Sequence, residues 1–239
     1  MPAVTHPVLV TRSLEKHYDD VVALHDFSVE VGETELVTLV GHNGSGKSTL
    51  LGIVSGMLDP TGGEAFIAGE RPGSMIARAA VSYVPDNPVL YDDLSVWEHV
   101  AYVAALHGAP DWEDRAPELL ERLGLWERVD DLPSKFSRGL RQKTMLAIGL
   151  IRPFSLLLLD EPFVGLDPSG QAAIVDLMLE AVDAGATVIA STHQPTLLAH
   201  ATRCIGLRDG DMVFDGPAGS REAAQLLHAD IGGTGKPPE

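Results

Sequence analysis

Short runs of apolar residues, separated by turn residues, are the main pattern along this chain. Three of these runs, Leu36–Val40, Leu156–Leu159 and Thr187–Ser191, are mostly apolar and too short to be helices. Such runs are typical of strands that are buried on both faces of a parallel sheet. Phe27–Val31 instead alternates apolar and polar residues, which favours an antiparallel sheet with one face in water. The pattern therefore predicts an α/β protein with a smaller antiparallel β subdomain.

Between about residues 86 and 145 the apolar residues recur at helical spacing. Ser95 and Glu98 form a capping-box pattern ahead of one predicted helix. Further helices are predicted over Asp111–Leu123 and Ser137–Leu150. We therefore predict a helical subdomain at about 86–145, inserted into a core that comprises about 1–85 and 146–228, and a disordered tail at 229–239. Other strands are predicted at Val8–Val10, Val21–Val31, Glu64–Gly69 and Val81–Val84, with a hairpin from Ile205–Leu207 to Met212–Phe214.

A glycine-rich segment joins the first buried strand to a predicted helix. Its glycines allow tight backbone conformations that turn successive N–H groups toward phosphate oxygens, and the helix N-terminus adds partial positive charge. The Lys47 amine can reach the β- and γ-phosphates, and the Ser48 hydroxyl can ligate Mg²⁺. The segment is therefore predicted to bind a nucleoside triphosphate. Its residues are Gly41, His42, Asn43, Gly44, Ser45, Gly46, Lys47, Ser48 and Thr49.

Two other buried strands lead into residues that can serve the same ligand. Asp160 and Glu161 end one strand, and His193 follows another. Ligands gather at the carboxyl ends of the strands in a parallel α/β sheet. Asp160 is predicted to bind Mg²⁺ opposite Ser48, and Glu161 to polarise an attacking water. His193 is predicted to contact the γ-phosphate or to orient that water.

Composition limits the partners of the chain. Lys and Arg number 17 and Asp and Glu number 34, which gives a formal charge of −17 without any basic run. This acidity disfavours a nucleic-acid partner. Cys204 is the single cysteine, which suits a reducing cytosol. The sequence contains no apolar stretch of the roughly 20 residues that span a bilayer and no signal-peptide pattern. A membrane role is therefore expected only through a partner.

The ordered set of motifs resembles the nucleotide-binding subunit of ABC transporters over nearly the whole chain. Gly41–Thr49 is similar to the family's Walker A motif, and Leu156–Pro162 is similar to Walker B, with Glu161 as the catalytic glutamate. The resemblance also places Tyr18 where an aromatic ring stacks on adenine. The D-loop and the switch-histidine segment correspond to Gly165–Pro168 and Ser191–His193.

Two motifs depart from the family's pattern. The segment 136–143 is similar to the signature motif, Leu-Ser-Gly-Gly-Gln, but Arg138 replaces its first glycine and Leu140 replaces its glutamine. Arg138 could add attraction for the phosphate or lie on the surface, and the surface position is expected. Ser137 and Gly139 remain, and the resemblance implies that they contact the γ-phosphate bound to the opposite subunit. Asp86 stands where the family carries its Q-loop glutamine, and its carboxylate can still ligate Mg²⁺ or hold a water.

The resemblance implies an ATPase subunit that pairs head to tail around two ATP molecules, as a homodimer or a heterodimer. It implies membrane permease subunits as partners, a place on the inner face of the cell membrane, and a role in export. Residues 86–97 are expected to touch the permease. One alternative is an ABC-type ATPase that acts on DNA or the ribosome, against which the acidity counts. Another is a nucleotide-binding regulator with low turnover, which Asp86 and the altered signature suggest.

Overall fold

Two β-sheets organise the protein, as seen in a computed structural model that describes residues 7–232, with side chains as far as residue 227. The strands are β1 (Leu9–Tyr18), β2 (Val21–Val31), β3 (Leu36–Val40), β4 (Gly62–Ile67), β5 (Val81–Val84), β6 (Leu156–Asp160), β7 (Thr187–Ser191), β8 (Arg203–Arg208) and β9 (Asp211–Pro217). The first sheet has the order β2-β1-β4 and is antiparallel. The second has the order β5-β6-β7-β3-β8-β9.

The six-stranded sheet is parallel except at one edge. Strands β5, β6, β7, β3 and β8 pair in parallel, and β9 closes the sheet as an antiparallel hairpin partner of β8. Every residue of β3, β6 and β7 is buried, as their unbroken apolar runs predicted. The predicted α/β architecture with an antiparallel part is therefore confirmed. Because the parallel strands share a direction, the carboxyl ends of β3, β6 and β7 meet at one edge.

Eight α-helices lie within residues 7–232, seven of them between strands and the last after β9. They are α1 (Lys47–Val54), α2 (Met75–Ala80), α3 (Val96–Leu106), α4 (Trp112–Arg122), α5 (Arg138–Ile151), α6 (Pro168–Asp183), α7 (Pro195–Leu198) and α8 (Arg221–Gly232). The capping box predicted at Ser95 and Glu98 is present at the start of α3. The sequence interpretation missed α2, because six residues with only Ala77 buried show no helical period.

The two faces of the parallel sheet pack against different elements. In β6, Leu157 and Leu159 join a cluster with α3, α4, α5 and α6, whereas Leu156 and Leu158 join a cluster with α1 and the antiparallel sheet. This division follows from the alternation of side chains along a strand. The helices α3, α4 and α5 contact one another and lie on a single face of the sheet.

Part of the predicted disordered tail is helical. Helix α8 continues to Gly232, so residues 229–232 of the predicted tail are helical. Residues 233–239 of that tail lie outside the described residues.

None of the helices described between residues 7 and 232 has the length and apolar character needed to cross a bilayer.

Candidate active site

The phosphate loop connects the carboxyl end of β3 to α1, and two of its glycines lie too close to other backbone for a side chain. Gly46 has φ +109°, and a Cβ there would lie 2.5 Å from the carbonyl oxygen of Ala23. A Cβ at Gly41 would lie 2.3 Å from the carbonyl oxygen of Leu207. Glycine is therefore required at these positions for the loop to close against β2 and β8.

Lys47 is buried in this loop, with 6% of its surface exposed. Its Nζ donates hydrogen bonds to the carbonyl oxygens of Gly41 and His42, the latter at 3.2 Å. The ammonium is therefore held at the loop by backbone groups. A cavity of about 160 Å³ lies here, lined by Asn43, Gly44, Ser45, Gly46, Lys47, Ser48, Thr49, Asp86 and Glu161. It is smaller than a typical pocket for a whole drug-sized ligand, roughly 300–1,000 Å³, and its size suits phosphate groups.

Asp160 and Glu161 follow each other at the end of β6, and one hydroxyl contacts both residues. Asp160 is 2% exposed, and its Oδ1 accepts a hydrogen bond from Ser191 Oγ at 2.6 Å. The same Oγ accepts the backbone N–H of Glu161 at 2.9 Å. Glu161 has φ +47°, a conformation that is uncommon for residues other than glycine. This turn directs Glu161 to the cavity while Asp160 stays buried behind it.

Glu161 lies beside a histidine from the next strand end. Its Oε2 is 2.9 Å from Nδ1 of His193. Burial raises the pKa of the Glu161 carboxyl, and the neighbouring His193 and Lys47 oppose that rise only in part. A carboxylate with a raised pKa accepts a proton more readily than an exposed one. The pair thus has the geometry of a base and the group that orients it.

The start of α5 carries the residues of the altered signature. Ser137 caps the helix, since its Oγ accepts the N–H of Leu140 at 3.3 Å. Gly139 packs on another motif, because a Cβ there would lie 2.3 Å from the carbonyl oxygen of Gly165. Neither Ser137 nor Gly139 is among the described residues that line the phosphate cavity. The structure therefore does not bring these two residues into the phosphate cavity of their own chain.

The remaining predicted site residues are Tyr18 and Asp86. Tyr18 ends β1, is 43% exposed, and has Lys16 Nζ 5.1 Å from its ring centre. It is not among the described residues that line the cavity. Asp86 does line the cavity, and its Oδ1 is 2.8 Å from Nη2 of Arg138. Arg138 lies on the surface as expected, but the sequence interpretation did not foresee this ion pair.

Sequence reasoning also gave Ser191 no role of its own. The signal was a hydroxyl residue at the carboxyl end of a buried strand, after the apolar residues Val188, Ile189 and Ala190. For the ion pair the signal was charge, because Arg138 and Asp86 carry opposite charges at positions where the resembled family has neutral residues.

Comparison with known proteins agrees with this geometry. A family model described as ABC transporter matches residues 24–164. The ABC-type transporter ATP-binding protein EcsA of Bacillus subtilis is 34% identical, over 82% of this chain and 80% of EcsA. The SkfA peptide export ATP-binding protein SkfE of the same species is 30% identical, over 87% of this chain and 88% of SkfE.

Solved structures give the same result for the whole fold. The ATP-binding subunit of an ABC transporter superposes with a TM-score of 0.84 and 31% identity, covering 94% of this chain and 95% of that one. A dimeric ATP-binding cassette in a post-hydrolysis state, bound to ADP and phosphate, gives 0.81 and 26% identity, covering 89% and 99%. The chain therefore belongs to the ABC transporter family, as an ATP-binding and ATP-hydrolysing subunit.

Proposed function

We propose that this protein hydrolyses ATP at the carboxyl ends of β3, β6 and β7 to drive export through membrane-spanning permease subunits. The observation that carries the proposal is the convergence of Lys47, Ser48 and Glu161 on one cavity, with His193 bonded to Glu161. Phosphoryl transfer requires a phosphate cradle, a metal and a positioned water more than covalent chemistry. This group of residues matches those requirements.

Each residue has a defined part in the proposed reaction. The backbone N–H groups of 41–49 and the Lys47 ammonium bind the phosphates. Glu161 removes a proton from the attacking water, and His193 holds the Glu161 carboxylate in place. Tyr18 stacks on the adenine ring from outside the phosphate cavity.

Magnesium fits the residues that are present. Ser48 and Asp86 line the cavity, and Asp160 is the buried neighbour in sequence of Glu161, which also lines it. Across residues 7–227, no group of three or more His, Cys, Asp or Glu side chains is arranged to hold a metal by itself. Mg²⁺ commonly takes only one or two protein carboxylates and completes its shell with phosphate oxygens and water. When bound, Mg²⁺ would neutralise negative charge on the phosphates.

Two cassettes are proposed to work together. Ser137 and Gly139 lie away from their own cavity, so a head-to-tail partner is needed to bring them to a γ-phosphate. The dimeric relative with bound ADP and phosphate supports this arrangement. ATP that bridges both subunits would favour the closed pair by its higher affinity for that state.

The permease is proposed to dock beside the cavity, on the inner face of the cell membrane. Large apolar side chains are exposed on the segment after β5 and on α3: Val89 at 82%, Leu106 at 64%, Tyr91 at 56% and Tyr102 at 48%. The rings of Tyr91 and Tyr102 lie together, with centres 5.9 Å apart, and exposed apolar groups that lie together favour an interaction site. The segment is held in place by His99, whose Nε2 accepts the backbone N–H of Tyr91 at 2.9 Å. The relative named for peptide export supports the direction of transport.

The test is to purify the tagged chain from solubilised membranes of its native host and to assay ATP hydrolysis. We expect a membrane permease to co-purify and the complex to hydrolyse ATP. Val89→Glu should abolish the capture, whereas Met75→Glu, at a residue that is 89% exposed elsewhere, should not. Recovery of ribosomal or DNA-bound partners without a permease would contradict the transport role. Absence of ATP turnover would contradict the enzymatic one.

A further inference from the structure

An ion pair joins two motifs that both depart from the family's usual residues. Asp86 follows β5 and lines the phosphate cavity, and Arg138 is the first residue of α5. Oδ1 of Asp86 lies 2.8 Å from Nη2 of Arg138, with side chains 35% and 55% exposed. The two residues are 52 positions apart in the chain. An exposed ion pair of this kind contributes little to folding stability. Its importance therefore lies in its effect on the charge of the nearby cavity.

The charges around the cavity make this pair consequential. Glu161 and Asp86 both line the cavity, and Lys47 is the cation among the residues that line it. A triphosphate brings several further negative charges into this space. A carboxylate without a cationic partner at Asp86 would repel those charges, and the guanidinium of Arg138 cancels that repulsion. The ion pair thus presents a nearly neutral group at the rim of the cavity.

The pair also belongs to a set of contacts that fixes the start of α5. Arg141 donates to the carbonyl oxygens of Pro133 at 3.1 Å and Pro88 at 3.4 Å. Gly139 packs against the carbonyl of Gly165. These contacts hold the turn that carries Ser137, and the Asp86–Arg138 contact links it to a residue of the phosphate cavity.

We propose that Arg138 is a positioning residue, which acts through Asp86 to keep the phosphate cavity receptive to ATP and to tie that cavity to the start of α5. This inference rests on the proposed function, because it assigns a role within the same ATP site. Asp86 and Arg138 together take the place of a neutral side chain, and neither residue alone is equivalent to it. Loss of Arg138 alone therefore leaves an uncompensated carboxylate and is harmful, whereas replacement of both partners restores a neutral group at the cavity.

The experiment measures equilibrium binding of ATP in EDTA, at protein concentrations where a sizing column shows a monomer. EDTA removes metal ligation by Asp86, and the monomer removes contacts from a second subunit. The variants are Arg138→Gln, Arg138→Lys and the double variant Asp86→Asn with Arg138→Gln. Arg128→Gln is the matched control, because Arg128 forms a similarly exposed pair with Asp131 at 3.2 Å outside the cavity.

We expect Arg138→Gln to weaken ATP binding about tenfold, and Arg138→Lys and Arg128→Gln to stay within about twofold of the parent. The double variant should also return to within about twofold of the parent. The proposal is overturned if Arg138→Gln binds ATP normally, or if the double variant is as weak as Arg138→Gln. The second outcome would mean that Arg138 acts on the nucleotide without Asp86. If the parent fails to bind ATP even after Mg²⁺ is restored, the proposed function fails and not merely this inference.

Discussion

The phosphate loop and the start of α5 serve the same proposed site, but they are held in different ways. At the loop and the strand ends beside it, Lys47 is 6% exposed, Asp160 2% and Ser191 fully buried, and backbone groups or a buried hydroxyl hold them. At the start of α5, Arg138 is 55% exposed and is held by an ion pair. Lys143 and Asp167 form a second, looser pair there, at 3.7 Å.

This difference explains where the sequence departs from the family it resembles. In the buried region each residue meets backbone atoms that cannot move independently, so a new side chain has no room and no substitute partner. In the exposed region a changed side chain can be matched by a change in its partner, as the opposite charges of Asp86 and Arg138 illustrate. Mutations in the first region should therefore be severe, and mutations in the second should be milder and open to rescue.

The largest effect is expected from Glu161→Gln. Loss of the carboxylate removes the proposed base, so hydrolysis should fall about 100-fold or more while ATP still binds. The trapped ATP-bound protein should elute as a dimer from a sizing column. Glu180→Gln, which alters an exposed carboxylate paired with Arg122, is the control and should keep the parent rate. A Glu161→Gln protein that hydrolyses ATP like the parent would exclude Glu161 as the base.

Lys47→Ala should come next, with ATP binding weakened roughly 100-fold. The substitution removes a buried positive charge and one hydrogen-bond donor from each of the carbonyl oxygens of Gly41 and His42. Lys135→Ala, at an exposed position on the helical side, should not change the affinity. Equilibrium binding of labelled ATP measures both variants. Normal affinity for Lys47→Ala would refute the assignment of the phosphate loop.

Ser191→Ala tests whether a buried hydroxyl aligns the two acidic residues. The change leaves the Glu161 N–H and Asp160 Oδ1 without their shared partner, so the rate of hydrolysis should fall about tenfold. The KM for ATP should change less than about threefold, because Ser191 is not among the residues that line the cavity. Ser191→Thr keeps a hydroxyl and should recover part of the rate. If the alanine and threonine variants are equally slow, the loss reflects packing and not the two hydrogen bonds.

The contrast between the two regions also marks how far the sequence alone could lead. The buried strands β3, β6 and β7 and the phosphate loop were predictable, because each is encoded within a few consecutive residues. The capping box of α3 was predictable for the same reason. The ion pair of Asp86 with Arg138 and the double contact of Ser191 were not, since each joins residues 30 or more positions apart. Only the packing of the sheet and α5 brings such residues together.

The pH dependence of hydrolysis tests the environment of Glu161 without removing it. The proposed base acts when deprotonated, so the rate should rise with pH through the pKa of Glu161. Burial raises that pKa, so the rise should lie above the ordinary value of 4.5. His193 lowers the same pKa, and His193→Ala should therefore move the rise to higher pH. Because His193→Ala is also expected to be slower, each pH profile is normalised to its own maximum rate before the two are compared. A shift of the rise to lower pH in His193→Ala would contradict the pairing of Glu161 with His193.

Tyr18→Ala should give the smallest change in ATP affinity, because Tyr18 lies neither at the phosphate loop nor at the start of α5. It is 43% exposed at the end of β1, with Lys16 Nζ 5.1 Å from its ring centre. An exposed aromatic stack contributes modestly, so ATP binding should weaken about threefold. Tyr18→Trp should keep the parent affinity, and Tyr102→Ala, at a ring that is 48% exposed on α3, should have no effect on it. ATP affinity that is unchanged in Tyr18→Ala would remove Tyr18 from the site, and the adenine would then have to be sought against other residues at the edge of the phosphate loop.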